Sequence, residues 1–175
     1  MLTLMADTLF ETPNLAIRRF TTHDDAFIFE LLNTPGWKEF IGERNINSTI
    51  DAINYLHNGP LALYTEYGYG PWLVTLKETN QPIGMCGLFK RDYLDKPDLG
   101  FAFLPGFEGK GFAYESCMAT LRYVTDNYNL GSLYATTTDK NSRSQRLLER
   151  CGFIRNGRVT PPGEEELLLY RLTLQ

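Results

Sequence analysis

Apolar and polar positions change period several times along the chain, and each change predicts an element. Residues 14–20 (NLAIRRF) alternate, with Leu15 and Ile17 set against Ala16 and Arg18, and predict a first strand. Thr22 then opens a helix. Asp25, three residues on, makes an acidic capping box and suits the positive end of the helix. Pro35 and Gly36 end it. A second helix is expected to start at Ser48, with Asp51 at its third position and an apolar stripe of Ile50, Ile53 and Leu56. Asn58, Gly59 and Pro60 stop it.

From Pro71 the period falls to two. Residues 72–77 read as a strand, 78–81 as a turn and 83–90 as the hairpin partner. Residues 91–97 are charged and turn-rich, hence a loop. Residues 98–104 read as a strand, with Leu99, Phe101 and Phe103 on one side. A glycine-rich turn from Pro105 to Gly111 leads into a long helix that spaces Cys117, Leu121, Val124 and Tyr128 on one face. A short strand over 133–137 follows, then a helix begun by Asn141 with Leu147, Leu148 and Cys151 inward. Two last strands, over 153–159 and 167–174, flank Pro161, Pro162 and Gly163. This mixed α/β pattern with hairpins predicts a largely antiparallel central sheet flanked by helices. No repeat or linker divides residues 1–175, so one domain is expected.

The turn between strand and helix carries the chemistry. Gly109 and Gly111 allow backbone conformations other residues avoid, and the free N–H groups at the start of the next helix then form an anion cradle. Lys110 adds positive charge. A tight turn used only for packing is the plainer alternative. Two nucleotide loops are excluded. A Walker loop needs Gly where Leu104 stands and Ser or Thr where Gly111 stands. Gly68-Tyr69-Gly70 lacks the third glycine of a dinucleotide fingerprint and precedes a strand.

Phe101-Ala102-Phe103-Leu104-Pro105, followed by Glu108-Gly109-Lys110-Gly111-Phe112-Ala113, resembles the acetyl-CoA loop signature of the GNAT superfamily, the general N-acetyltransferases. Residues 141–153, an Asn-led helix ending in Gly152-Phe153, resemble its second signature. The opening strand, Asp24-Asp25 and Ile83-Gly84 resemble the branch of the ribosomal-protein N-terminal alanine acetyltransferases. The resemblance runs from about Asn14 to the C-terminus. It implies the GNAT fold and direct acetyl transfer from acetyl-CoA, as co-substrate, to a primary amine on a small molecule or a protein N-terminus. Gly109, Lys110, Gly111, Phe112 and Ala113 would hold the pyrophosphate, and the pantetheine arm would lie along Ala102 and Phe103. Asn141 would bond that arm, or serve as a plain helix cap. Glu108 stands where many members place Gln or Arg, so its carboxylate is expected to point outward.

Acetyl transfer requires a deprotonated amine, a stabilised oxyanion and a neutralised thiolate. The resemblance points to Asp98 as base, one carbon shorter than the glutamate many members carry; a solvated loop residue is the alternative. Many members use a tyrosine as acid where Leu148 stands here, which cannot give a proton. Ser144, matching a serine of the alanine acetyltransferase branch, is the candidate for the leaving sulfur, against a first-turn helix role. Trp37, Phe40, Glu43, Tyr67, Tyr69 and Trp72 are candidate walls for the acceptor. These departures keep open a non-catalytic acyl-CoA-binding or sensing module on the same fold.

Composition narrows the partners. Among 175 residues, 17 are basic and 21 acidic, a net charge of −4 that argues against nucleic acid. Cys86, Cys117 and Cys151 lack metal-ligand spacing, and His23 and His57 are the two histidines, so no metal is expected and the thiols read as buried and free. The opening MLTLMADTLF has no leader pattern, and no apolar run reaches 18 residues. A cytoplasmic protein away from membranes is expected, and a homodimer is an open possibility.

Overall fold

The computed structural model describes residues 7–175; residues 1–6 of the segment inspected for a leader lie outside that range. The strands are β1 (Thr8–Glu11), β2 (Leu15–Arg19), β3 (Pro71–Leu76), β4 (Pro82–Phe89), β5 (Asp98–Phe103), β6 (Ser132–Thr137), β7 (Ile154–Val159) and β8 (Leu167–Thr173). They form one sheet in the order β1-β2-β3-β4-β5-β6-β8-β7. Every junction is antiparallel except β5 with β6, which is parallel and consists of a single bridge, Asp98 opposite Tyr134. The helices are α1 (Asp25–Leu32), α2 (Pro35–Phe40), α3 (Thr49–Leu56), α4 (Ala62–Tyr67), α5 (Phe112–Asn127) and α6 (Ser142–Arg150).

The core runs through the middle strands. Leu15, Ile17, Leu73, Val74, Ile83 and Cys86 are fully enclosed, and Phe20, Ile28 and Leu31 from the first turn and helix close over them. Burying side chains of this size contributes about 1.5–3 kcal/mol each. Helix α5 covers one face of the sheet. The Sγ of Cys86 in β4 lies 3.8 Å from that of Cys117 in α5, and the Trp72 ring packs edge-on against Tyr123. All three cysteines are buried and free. Helix α1 meets the opposite face, where Ala26 and Phe27 share a cavity of about 440 Å³ with Leu104 and Phe107.

Four expectations are corrected. The first cap is Thr21, not Thr22: it opens a 3₁₀ turn (Thr22–Asp24), and Asp24 returns the bond to the Thr21 N–H, so the box sits one residue early. Pro35 and Gly36 do not close a helix; α1 has already ended at Leu32, and Pro35 is the first residue of α2, capped by Thr34. A proline at that position sacrifices no helical bond. Asn58, Gly59 and Pro60 do not stop the second helix. The chain passes through them in a π-turn (His57–Leu61), whose wider ladder tolerates the proline, and continues as α4. The buried side of α3 is Ala52 and Leu56, while Ile50 is 69% exposed. Strand β1, too short to show a period, was not expected.

Candidate functional site

The site is built where β5 and β6 part. The N–H of Leu104 donates to Ile83 in β4 at 2.9 Å, and the N–H of Tyr134 donates to the carbonyl of Pro97 at 3.0 Å. Antiparallel pairing alternates, so these two bonds fix the direction of every amide in β5. Asp98, Gly100 and Ala102 turn their N–H and C=O groups to β4. Phe101 and Phe103 turn theirs to the side of β6, which has left after its single bridge. The result is a wedge with an unpaired backbone edge. Of the two residues expected to pair with an extended ligand, Phe103 presents its main chain to the wedge; Ala102 is already bonded to Met85. Gly84 makes this possible, since a Cβ there would meet the Phe103 ring at 2.4 Å.

At the wide end of the wedge lies the glycine turn. Gly109 and Gly111 have φ of +70° and +86°, the left-handed region that disfavours other residues. Gly111 is the N-cap of α5 and offers no side chain to it, so the N–H groups of Phe112, Ala113 and Tyr114 have no helical partner. A Cβ on Gly111 would meet nothing within 4 Å, so the cradle opens outward. The helix is held in place from behind: Glu115 accepts from the Thr12 hydroxyl and from the N–H and side-chain amide of Asn14. Lys110 places its ammonium 5.5 Å over the Phe107 ring. Glu108 is engaged by Arg143 of α6 at 3.2 Å, which offsets its charge beside the cradle.

Helix α6 flanks the same wedge. The Oδ1 of Asn141 accepts from the Ser144 N–H at 3.1 Å, so Asn141 is the cap of α6. Its NH₂ group remains outside that bond, and capping and ligand binding do not compete. Leu148 is buried in the core.

At the narrow end sits Asp98, on the face of β5 away from α5. It is 4% exposed, and its Oδ1 has no hydrogen-bond partner. Burial pushes its carboxyl up to about 6, against the pull of Arg91 and Lys90. Arg91 Nε lies 3.7 Å from that oxygen. Tyr69 and Tyr93 stand near enough to feel the carboxylate, and the phenols of both are raised, chiefly by burial. Farther out, Arg44, Asn45, Asp51, Asn54, Tyr55 and Asn58 line a cavity of about 390 Å³. The candidate walls divide: Trp72 lies on the α5 face and is core, whereas Tyr69 stacks on Tyr67, meets Tyr128 edge-on at the end of α5 and is near enough to feel Asp98. Arg91 and Tyr134 carried no sequence signal; the β4–β5 register sets Arg91 beside Asp98, and the β5–β6 bridge sets Tyr134 opposite it.

An unpaired strand edge, an uncapped helix start on two left-handed glycines, and an Asn-led helix lie together where β5 and β6 part. The family described as Acetyltransferase (GNAT) domain matches residues 14–154. The chain belongs to the GNAT acetyltransferases. It is 30% identical over 157 residues to the uncharacterized N-acetyltransferase YnaD of Bacillus subtilis (strain 168), covering 88% of this chain and 89% of that one. Its fold is similar to that of the ribosomal-protein-S5-alanine acetyltransferase of Vibrio fischeri, with a TM-score of 0.80 at 18% identity over 97% and 98% of the two chains. It is also similar to that of the aminoglycoside acetyltransferase AAC(6')-Ib in complex with coenzyme A, with a TM-score of 0.75 at 20% identity over 91% and 94%. This GNAT protein is an N-acetyltransferase. Nothing in these likenesses supports the non-catalytic alternative. Among the described residues, no helix is long and apolar enough to cross a membrane, and no group of three His, Cys, Asp or Glu side chains could hold a metal ion.

Proposed function

We propose that this GNAT enzyme transfers the acetyl group of acetyl-CoA directly to a primary amine, with the cofactor in the wedge and the amine arriving from the Asp98 side. The single observation that carries the reading is the lone β5–β6 bridge, which leaves a strand edge open between the glycine cradle and a buried carboxylate.

The cradle N–H groups of residues 112–114 suit a pyrophosphate, because they are unpaired, converge at the positive end of a helix and need no side chain. The main chain of Phe101 and Phe103 suits an amide-bearing arm, and one of these N–H groups can steady the negative charge on the acyl oxygen. The side-chain NH₂ of Asn141 faces the same arm. Acetyl-CoA supplies the activated acyl group and a thiolate leaving group. Asp98, with a carboxyl near 6, is mostly ionised at pH 7 and takes the proton of the incoming ammonium. Ser144 donates to the departing sulfur. The acceptor is a primary amine of a small molecule or of a protein N-terminus, in keeping with the kinds of acetyltransferase that share the fold.

Two measurements test this. At a concentration a hundredfold above its dissociation constant, acetyl-CoA adds about 2.7 kcal/mol to stability. That corresponds to a rise in Tm of roughly 5–10 °C for a chain of this size. Gly111→Glu fills the open cradle and removes the rise; an undiminished rise in that variant overturns the placement. A screen of amines, aminoglycosides and N-terminal peptides, followed by release of free CoA thiol, identifies the acceptor class.

A further inference from the structure

Asp98 is buried and Arg91 half-buried, and the pair is close yet not hydrogen-bonded. Their nearest atoms, Nε and Oδ1, are 3.7 Å apart, and both are enclosed with no other partner. That separation is too long for a hydrogen bond but short enough for strong attraction between charges in a poorly solvated site. The guanidinium is not free to close the gap. It lies 4.6 Å over the ring of Phe89, the residue opposite Asp98 in β4. The backbone that carries it is tied by Lys90, whose ammonium donates to the carbonyls of Arg91 at 3.1 Å and Leu94 at 3.0 Å. The Phe89 ring is itself seated on Gly100, where a Cβ would come within 2.6 Å of it. The charged loop after β4 is therefore a rigid mount.

We propose that Arg91 is the positioning residue of this enzyme: stacked on Phe89, it holds the Asp98 carboxylate in its charged form while leaving Oδ1 without a hydrogen bond. The inference rests on the reading of Asp98 as base. Asp98 is faced by Arg91 and Lys90 from the β4 end, by Tyr69 from the α4–β3 connection and by Tyr93 from the loop, while Tyr134, its partner across the bridge, turns its phenol to Asp95. Arg91 and Lys90 are the cations of this set, and Lys90 is already engaged by two carbonyls.

The test is the carboxyl-carbon titration of Asp98 in protein labelled at aspartate, with its signal assigned by its absence from Asp98→Asn. Removing a cation at this range raises a carboxyl midpoint by about one unit or more. Arg91→Gln is expected to raise the Asp98 midpoint by that amount and to move the acid limb of kcat upward with it. Arg91→Lys restores both toward wild type. Phe89→Leu, which removes the platform and keeps the cation, gives a smaller rise, and it provides the answer should Arg91→Gln not fold. An unchanged midpoint in Arg91→Gln, or in Phe89→Leu where it must stand in, overturns the inference. The two layers separate cleanly. If Asp98→Asn loses turnover but the Arg91→Gln midpoint stays put, Asp98 stands as base and Arg91 does not position it. If the midpoint moves but Asp98→Asn keeps full turnover, Asp98 is not the base.

Discussion

Two aspartates in this protein are buried against an arginine, and they are arranged in opposite ways. Asp24 accepts from Arg18 through both oxygens, at 2.8 and 2.9 Å, and takes a further bond from the Thr21 N–H at 2.8 Å. Every charge-bearing atom is saturated, which is what a structural pair requires. Asp98 is as deeply buried, but it meets its arginine at 3.7 Å and leaves Oδ1 unpartnered. A saturated carboxylate locks the entry to α1. An unsaturated one leaves an acceptor unused by the chain. Burial alone does not separate the two acids; the unpartnered oxygen does, and it is the feature on which the proposed role of Asp98 rests.

The sharpest way to break this contrast is to neutralise each acid in turn. Asp98→Asn should lower kcat by about 10²–10⁴-fold, the usual yield of a general base, while the acetyl-CoA-dependent rise in Tm persists. Retained turnover would place Asp98 with Asp24. Asp24→Ala should leave the chemistry alone and cost about 3 kcal/mol of stability in urea unfolding, because it strands Arg18 beside a partly buried gap. A similar figure governs pH. The Asp98 carboxyl is raised from 3.8 to about 6 in the folded chain, so the native state holds that proton more tightly than the unfolded one. Its contribution to stability is complete below pH 3.8 and is lost as pH rises through about 6, a change of about 3 kcal/mol. The Tm difference between Asp98→Asn and wild type should therefore grow in favour of the variant across that window and level off above it. A flat difference would show that Asp98 is solvated. The smallest effect belongs to Ser144→Ala, about tenfold in kcat with unchanged cofactor binding, the worth of one hydrogen bond to a developing charge.

The glycine turn was open to reading from the sequence because its geometry is local. Gly109 and Gly111 signal left-handed backbone wherever they fall, and a strand before them and a helix after them suffice to aim the amides. The acid–base side was legible only in part. Asp98 was picked out as a position, but its burial and its arginine depend on how β4, the loop after it and β6 pack beside β5. Arg91 read as one charge in a loop, since its approach to Asp98 depends on the β4–β5 register. Among the elements, the long helices α5 and α6 followed from periodicity. The segment from Thr34 to Tyr67 did not, because Pro35 and Pro60 are punctuation in a local reading yet sit inside helical structure when a cap or a π-turn absorbs them. The cysteines, unremarkable in spacing, gather at the β4–α5 contact for the same tertiary reason.

The solitary β5–β6 rung also has a mechanical consequence. A sheet interrupted at its centre has a seam, and force between its two flanks cannot travel through a ladder of parallel bonds there. It must pass through α5, whose first turn is tethered by Glu115 to Thr12 and Asn14 and whose body rests on β4 and β5. The longest helix thus acts as a splint along one side of the seam, and the flank made of β6, β8 and β7 joins it through α6, which lies against both α5 and β6.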